Sequence, residues 1–269
     1  METSDLDRVL RQNFGFAAEQ RRRADVLHSG AVRDIAAESL KLGYTPAHSR
    51  IIYSDVIGEP ETFAEFCRVY AQECDNTTVL QDVFFTSAVS GAPQLTIPDM
   101  PPIRRAADVL ADSGFVFDLS YSDSFSDAAY EVQVGSADFT ILPTEQNGER
   151  LFAFDSMRKR GGLKINVVVS DSEVSAKYSL VSGAFSDISK LSAFTRLAFT
   201  AECRSTPYEL LCGAAILGAL PTSANISAHT IGAELDVSKI NSTEPLAALV
   251  MYLAASAETT FDGIYSEYK

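Results

Sequence analysis

Through the first hundred residues the apolar positions recur at the helical period. Val32, Ile35, Ala36 and Leu40 follow it, with Ser29 placed to cap the segment and Gly43 placed to stop it. Thr45-Pro46 opens another stretch toward Gly58, although Ile51-Ile52-Tyr53 suits a strand equally well. After Pro60, the positions Phe63, Phe66, Cys67, Tyr70, Ala71 and Cys74 recur at i, i+3, i+4, i+7, i+8 and i+11, which predicts an amphipathic helix facing a core. Residues 90–102 hold Pro93, Pro98, Pro101 and Pro102 and read as an ordered loop. A short helix through Ile103, Ala106, Ala107 and Leu110 follows, ending at Gly114.

From residue 115 the period changes from 3.6 to 2. Residues 115–121, 130–134, 139–142, 151–154, 163–169 and 174–181 are six strand candidates, separated by turn segments such as Gly135-Ser136, Asn147-Gly148 and Gly161-Gly162. Such short connections predict antiparallel pairing, because parallel strands need crossovers of a dozen residues or more. Helical signals then return. Ser186-Asp187 precedes Ile188, Leu191, Leu197, Ala198 and Ala201, and Thr206-Pro207-Tyr208-Glu209 combines a capping box with a proline at the first helical position. The segment it opens, from Leu210 to Gly218, is apolar all round and predicts a helix enclosed on every side, as does the stretch from Pro245 through Met251 to Ala257. The predicted class is α+β: a helical lobe built from residues 1–114 and 183–269, with a six-stranded antiparallel β meander or small barrel inserted at 115–182.

A length of 269 residues with 46% apolar and 22% charged positions is that of a globular chain with a sizeable core, and suits one large domain or two unequal ones. The formal charge of −14 excludes a surface that clamps phosphate backbones over its whole extent. The longest uncharged runs, 210–220 and 246–257, are about a dozen residues against the roughly 20 of a bilayer crossing, so no membrane span is expected. A polar, acidic start without a basic segment followed by an apolar run predicts an intracellular, cytoplasmic chain. On that reading the sequons at Asn76, Asn225 and Asn241 are chance. Cys67, Cys74, Cys203 and Cys212 make neither a C-x-x-C pair nor a zinc-like set with the histidines.

The chain carries no P-loop, dinucleotide fingerprint, nucleophile elbow or zincin motif, which points away from an enzyme, and no cofactor is expected. His28, His48 and His229 are the imidazoles available for nucleophilic or acid–base work, and each has an ordinary surface or hydrogen-bonding alternative. Asp118, Asp123 and Asp127 bracket a turn, but the Gly and distal Glu of a calcium loop are absent. Residues 31–53 carry a loose helix-turn-helix spacing, with Pro46 where the second helix would start. Against the acidic background two basic clusters are the candidate partner-binding residues: Arg21, Arg22 and Arg23 on the first helix, and Arg158, Lys159 and Arg160 at an expected exposed β turn. There, guanidinium forks match acidic protein surfaces or phosphate.

The order helices, compact β module, helices resembles in outline the inner-shell and outer-layer capsid proteins of some segmented double-stranded RNA viruses. That resemblance, with the missing catalytic motifs, implies a non-enzymatic structural protein that self-associates, as a viral capsid, shell or matrix component. Its expected partners are copies of itself and other protein subunits, with nucleic acid confined to the Arg158–Arg160 turn. The alternatives are an intracellular enzyme with a dispersed carboxylate or histidine site and a regulatory nucleic-acid-binding protein.

Overall fold

A computed structural model describes residues 3–84, 92–185, 194–203 and 206–268. The chain opens with helices α1 (Thr3–Leu42), α2 (Pro46–Ile52), α3 (Ser54–Ile57), α4 (Pro60–Glu73) and α5 (Asn76–Val83). Local chemistry sets their ends. Gly43 takes a φ of +70° just past α1, Thr45 accepts the amide of His48 at the start of α2, and Asp75 accepts those of Thr77 and Thr78 at the start of α5. Helix α4 buries Phe63, Phe66, Cys67 and Ala71, the face its periodicity predicts.

A βαβαβ unit follows: β1 (Gln94–Pro98), α6 (Pro101–Asp112), β2 (Asp118–Ser122), α7 (Phe125–Gln133) and β3 (Phe139–Gln146), with the three strands parallel in the order β2-β1-β3. The short β4 (Glu149–Arg150) folds back on β3, and α8 (Phe152–Arg160) leads into the hairpin β5 (Lys164–Asp171) and β6 (Ala176–Ser182), which joins antiparallel to β3. The remaining elements are β7 (Arg196–Cys203), α9 (Pro207–Ile216), β8 (Leu220–Ile226), β9 (Thr230–Asp236), α10 (Thr243–Ser256) and β10 (Ala257–Tyr268). Their strands lie antiparallel in the order β10-β7-β9-β8, the ferredoxin-like arrangement of a split βαββαβ unit. Strand β10 also pairs parallel with β5, so all the strands join one mixed sheet in the order β2-β1-β3-β6-β5-β10-β7-β9-β8, with β4 at the side of β3.

The two halves of this sheet are covered differently. In the first half α6 packs one face, over Leu95, Ile97, Ile141, Val167 and Leu180, and α7 and α8 pack the other, over Leu142, Val168 and Val181. In the second half Leu197, Phe199 and Ala201 of β7 with Ile231, Ala233 and Leu235 of β9 point into one large core shared with α4, α5, α9 and α10. Alternating Arg196, Ala198 and Thr200 face the opposite way, the pattern of a sheet covered on one side.

Mixed α+β architecture is as expected, but the six-stranded meander is not. Of residues 130–134, expected as a strand, the first four lie in α7 and Val134 is its C-cap, because Phe125, Ala128, Ala129 and Val132 also recur at i, i+3, i+4 and i+7 and Ser124 caps the segment. Residues 151–154 run into α8 for a similar reason: Phe154 and Met157 reach the core one turn apart. The strands that remain pair outside the expected module, with β1 and β10. The prolines of residues 92–102 bracket β1 rather than excluding it. Leu197, Ala198 and Ala201, expected in a helix, form β7, while Ile188 and Leu191 lie outside the described residues. Helix α10 is enclosed from Leu246 to Leu253, but α9 leaves Tyr208, Cys212 and Ile216 exposed at i, i+4 and i+8. Apolar composition did not reveal that open face.

Candidate functional site

Where β10 joins the first half of the sheet to the second, a cavity of about 390 Å³ opens between β5, the end of β6, α5, α10 and β10. Val83, Phe185, Ala254 and Phe261 make much of its wall, Thr259 and Thr260 contribute hydroxyls, and among the described residues Lys164 contributes the one charged group of the lining. A concave, mostly apolar space of this size with few convergent polar groups is the usual form of a small-molecule site.

Lys164 is the first residue of β5. Its Nζ donates to the carbonyl oxygen of Phe261 at 2.7 Å and lies 5.4 Å from the centroid of the Phe185 ring. Among the described residues no carboxylate comes within ion-pair distance of it. Burial pushes the Lys164 pKa below the ordinary lysine value, with Asp262 nearby opposing the shift and the Arg158 guanidinium adding to it.

Two irregularities in adjacent strands shape the site. In the β5–β6 ladder Ile165 pairs with Val181 and Val167 with Leu180, so Asn166 is an extra residue. Its side-chain amide donates to Ser182 Oγ at 2.6 Å and to the carbonyl of Ala184 at 3.2 Å, holding the Gly183–Phe185 segment that lines the cavity. In the β10–β7 ladder Phe261 pairs with Phe199 and Gly263 with Ala198, so Asp262 is the extra residue. Such bulges re-aim side chains beside functional sites. Here the bulge turns Asp262 to accept from Thr200 Oγ1 at 2.7 Å and from Arg158 Nη1 at 3.3 Å.

Arg158, 3% exposed, is the hub of the buried charges. It also donates to the carbonyl of Leu163 at 2.9 Å and to Asp155 at 3.0 Å. Burial alone would raise the Asp155 pKa, but Arg150, Arg158 and Lys159 around it hold the carboxyl below its usual range. Asp262 and Asp155 are thus engaged by guanidinium, and the nearby Lys164 amine is left facing the cavity.

The basic cluster expected at an exposed turn is therefore the last turn of α8, where cations sit favourably against the helix C-terminus. Arg158 points inward, Lys159 rests 3.4 Å from Asp155, and Arg160 is exposed with its Nε on the carbonyl of Ser156. Arg22 and Arg23 are exposed on α1 and meet Glu19 at 4.0 and 3.2 Å, and the side chain of Arg21 lies outside the described residues. The histidines do not line the cavity: His28 bonds Thr62, His48 packs on the Tyr44 ring, and the carbonyl of His229 accepts from Cys203. Asp127 takes the Ser124 hydroxyl at the start of α7, and among the described residues no acidic cluster could hold a metal ion. No helix among those residues is long and apolar enough to cross a membrane.

Sequence reasoning missed Lys164, Asn166 and Asp262. Their signal was present as polar residues interrupting apolar strand runs, in Leu163-Lys-Ile-Asn-Val and Phe261-Asp-Gly-Ile.

No protein-family model matches the chain, and no curated protein matches its sequence. Its fold is similar to that of prephenate dehydratase from Streptococcus mutans, with a TM-score of 0.50 at 11% identity over 66% of this chain and 100% of that one. Two further solved structures align more loosely. They are GqqA, a quorum-quenching acylase (TM-score 0.47, 15% identity, 65% of this chain and 96% of that one), and prephenate dehydratase from Arthrobacter aurescens in complex with L-Phe (0.45, 12%, 64% and 89%). The S. mutans likeness is one of fold, and it overturns the expectation of a self-associating capsid, shell or matrix protein. The architecture is one shared with a solved prephenate dehydratase, and the helices–β module–helices outline behind the viral resemblance is not the one observed.

Proposed function

We propose that the protein binds a small organic molecule in the cavity between β5 and β10. The ligand's apolar body lies against Val83, Phe185 and Phe261, and a carboxylate or carbonyl oxygen meets the Lys164 amine. The observation that carries this reading is a half-buried amine with no carboxylate at ion-pair distance among the described residues, placed in a mostly apolar wall. Burying such a group is costly unless a partner offsets it, and a ligand oxygen is the partner the cavity can admit. The fold likeness to an enzyme named for its action on prephenate supports an enzyme or ligand-binding class, while the site must supply the specifics. It favours the dispersed-site enzyme reading, with a lysine in place of the expected carboxylate or histidine. The exposed Lys159, Arg160, Arg22 and Arg23 are a separate proposal, as contacts for an acidic partner.

A panel of aromatic and aliphatic carboxylates and carbonyl compounds, screened by thermal shift and by NMR, tests the binding. A ligand present at 100 times its Kd should stabilise the fold by about 2.7 kcal/mol. The same ligand should lose most of that effect with Lys164→Met, which keeps the alkyl stem. Undiminished binding to Lys164→Met, or shifts confined to residues away from β5 and β10, would overturn the proposal.

A further inference from the structure

We infer that Lys164 acts as a nucleophile, forming an imine with a carbonyl carbon of a ligand seated in the β5–β10 cavity. This rests on the binding reading above and narrows it, from any oxygen-bearing ligand to an aldehyde or ketone.

The geometry separates Lys164 from the other described lysines. Lys41, Lys159 and Lys177 each have a carboxylate, at 3.6, 3.4 and 3.5 Å, which favours the ammonium form, and Lys239 is exposed to water. Lys164 has instead a backbone carbonyl, Phe261 O, on one side and the Phe185 ring on another. The carboxylate nearest in effect, Asp262, is bonded by Thr200 and Arg158, and the same guanidinium disfavours a second positive charge beside it. The bonded Phe261 oxygen fixes the direction of the amine, so that a free lone pair can be turned toward the cavity. A desolvated lysine next to another cation is a known way to make an amine nucleophilic near neutral pH.

The step balances without any other reactant. The nitrogen lone pair attacks the carbonyl carbon, a proton moves from nitrogen to the former carbonyl oxygen, and the carbinolamine loses that oxygen as water while C=N forms. Nothing is oxidised or reduced, and water reverses the reaction.

The intact protein is incubated with benzaldehyde, or with pyruvate, in the presence of cyanoborohydride, which reduces an imine to a stable amine. Adducts are then located by intact mass and peptide mapping. The expected result is a single early adduct on Lys164, formed faster than on the exposed Lys41 and Lys239, with a pH–rate profile displaced to lower pH and slowed by benzoate. Lys164→Arg keeps a cation in place and should lose this adduct while giving an unchanged circular dichroism spectrum. NMR with benzoate alone reads binding separately. Benzoate bound in the cavity with no adduct at Lys164, or with all lysines labelled equally, overturns the imine and leaves the binding reading intact. Absence of both binding and labelling overturns the two together.

Discussion

Arg158 binds three acceptors from different parts of the chain: Asp155 in its own helix, the carbonyl of Leu163 at the head of β5, and Asp262 in the bulge of β10. Replacing it with Met would fill similar space but leave Asp262 buried without its guanidinium and Asp155 with Arg150 and Lys159 alone. Removing one partner of a buried pair costs about 3–5 kcal/mol, whereas exposed pairs contribute about 0–1 kcal/mol. Arg158→Met should therefore lower stability by an amount in the first range in urea melts at neutral pH, while Arg160→Met should change it little. The pH dependence has a definite sign. The folded-state pKa of Asp155 is depressed, so its contribution is present above the unfolded carboxylate pKa and is lost as pH falls through the folded value. The gap between wild type and Arg158→Met should accordingly narrow in acid. A gap that is constant from neutral pH to acid would show that Arg158 contributes packing alone. The triplet Arg158-Lys-Arg was visible in the sequence, but the inward turn of its first member depends on Asp262, more than a hundred residues away, and no local pattern reveals that.

Helices α9 and α10 meet where a glycine faces an aromatic ring. A Cβ on Gly213 would run into the ring and hydroxyl of Tyr252, whose hydroxyl donates to the carbonyl of Glu209 at 3.0 Å. Gly213→Ala should force the ring away and cost about 1–3 kcal/mol, as overpacking does. A melting temperature equal to wild type would mean that Tyr252 has another place to go. Gly218 in the same segment has a different role. It takes a φ of +91° just beyond α9, with open space around it, so backbone conformation rather than crowding requires glycine there. At this scale the sequence was most readable where a buried helix presents one regular stripe, as in α4 and α6, or is enclosed, as in α10. It was least readable in β8, β9 and β10, which were not anticipated as strands. β8, Leu-Pro-Thr-Ser-Ala-Asn-Ile, is an exposed edge with no alternation to detect, and Thr259, Phe261 and Asp262 of β10 are thrown off the two-residue period by the bulge. The candidate site was missed for the same reason, since it is assembled at that bulge from residues 83, 164, 185, 254 and 259–261.

At the scale of the molecule, among the described strands the two halves of the sheet are hydrogen-bonded to one another through β10 alone, because β5 and β7 are its two neighbours. The strand that closes the sheet is thus made roughly a hundred residues after the strand it must pair with in the first half. During synthesis at about 5–20 residues per second, β5 waits some 5–20 s with an open edge, the kind of surface that recruits other chains or chaperones. Ribosome-held chains stopped at Ser256 should leave residues 164–182 open to proteolysis, and chains carried well past Tyr268 should protect them. Because the Lys164 cavity takes part of its wall from β10, the ability to bind a ligand and the closing of the sheet arrive in the same late moment of the protein's birth.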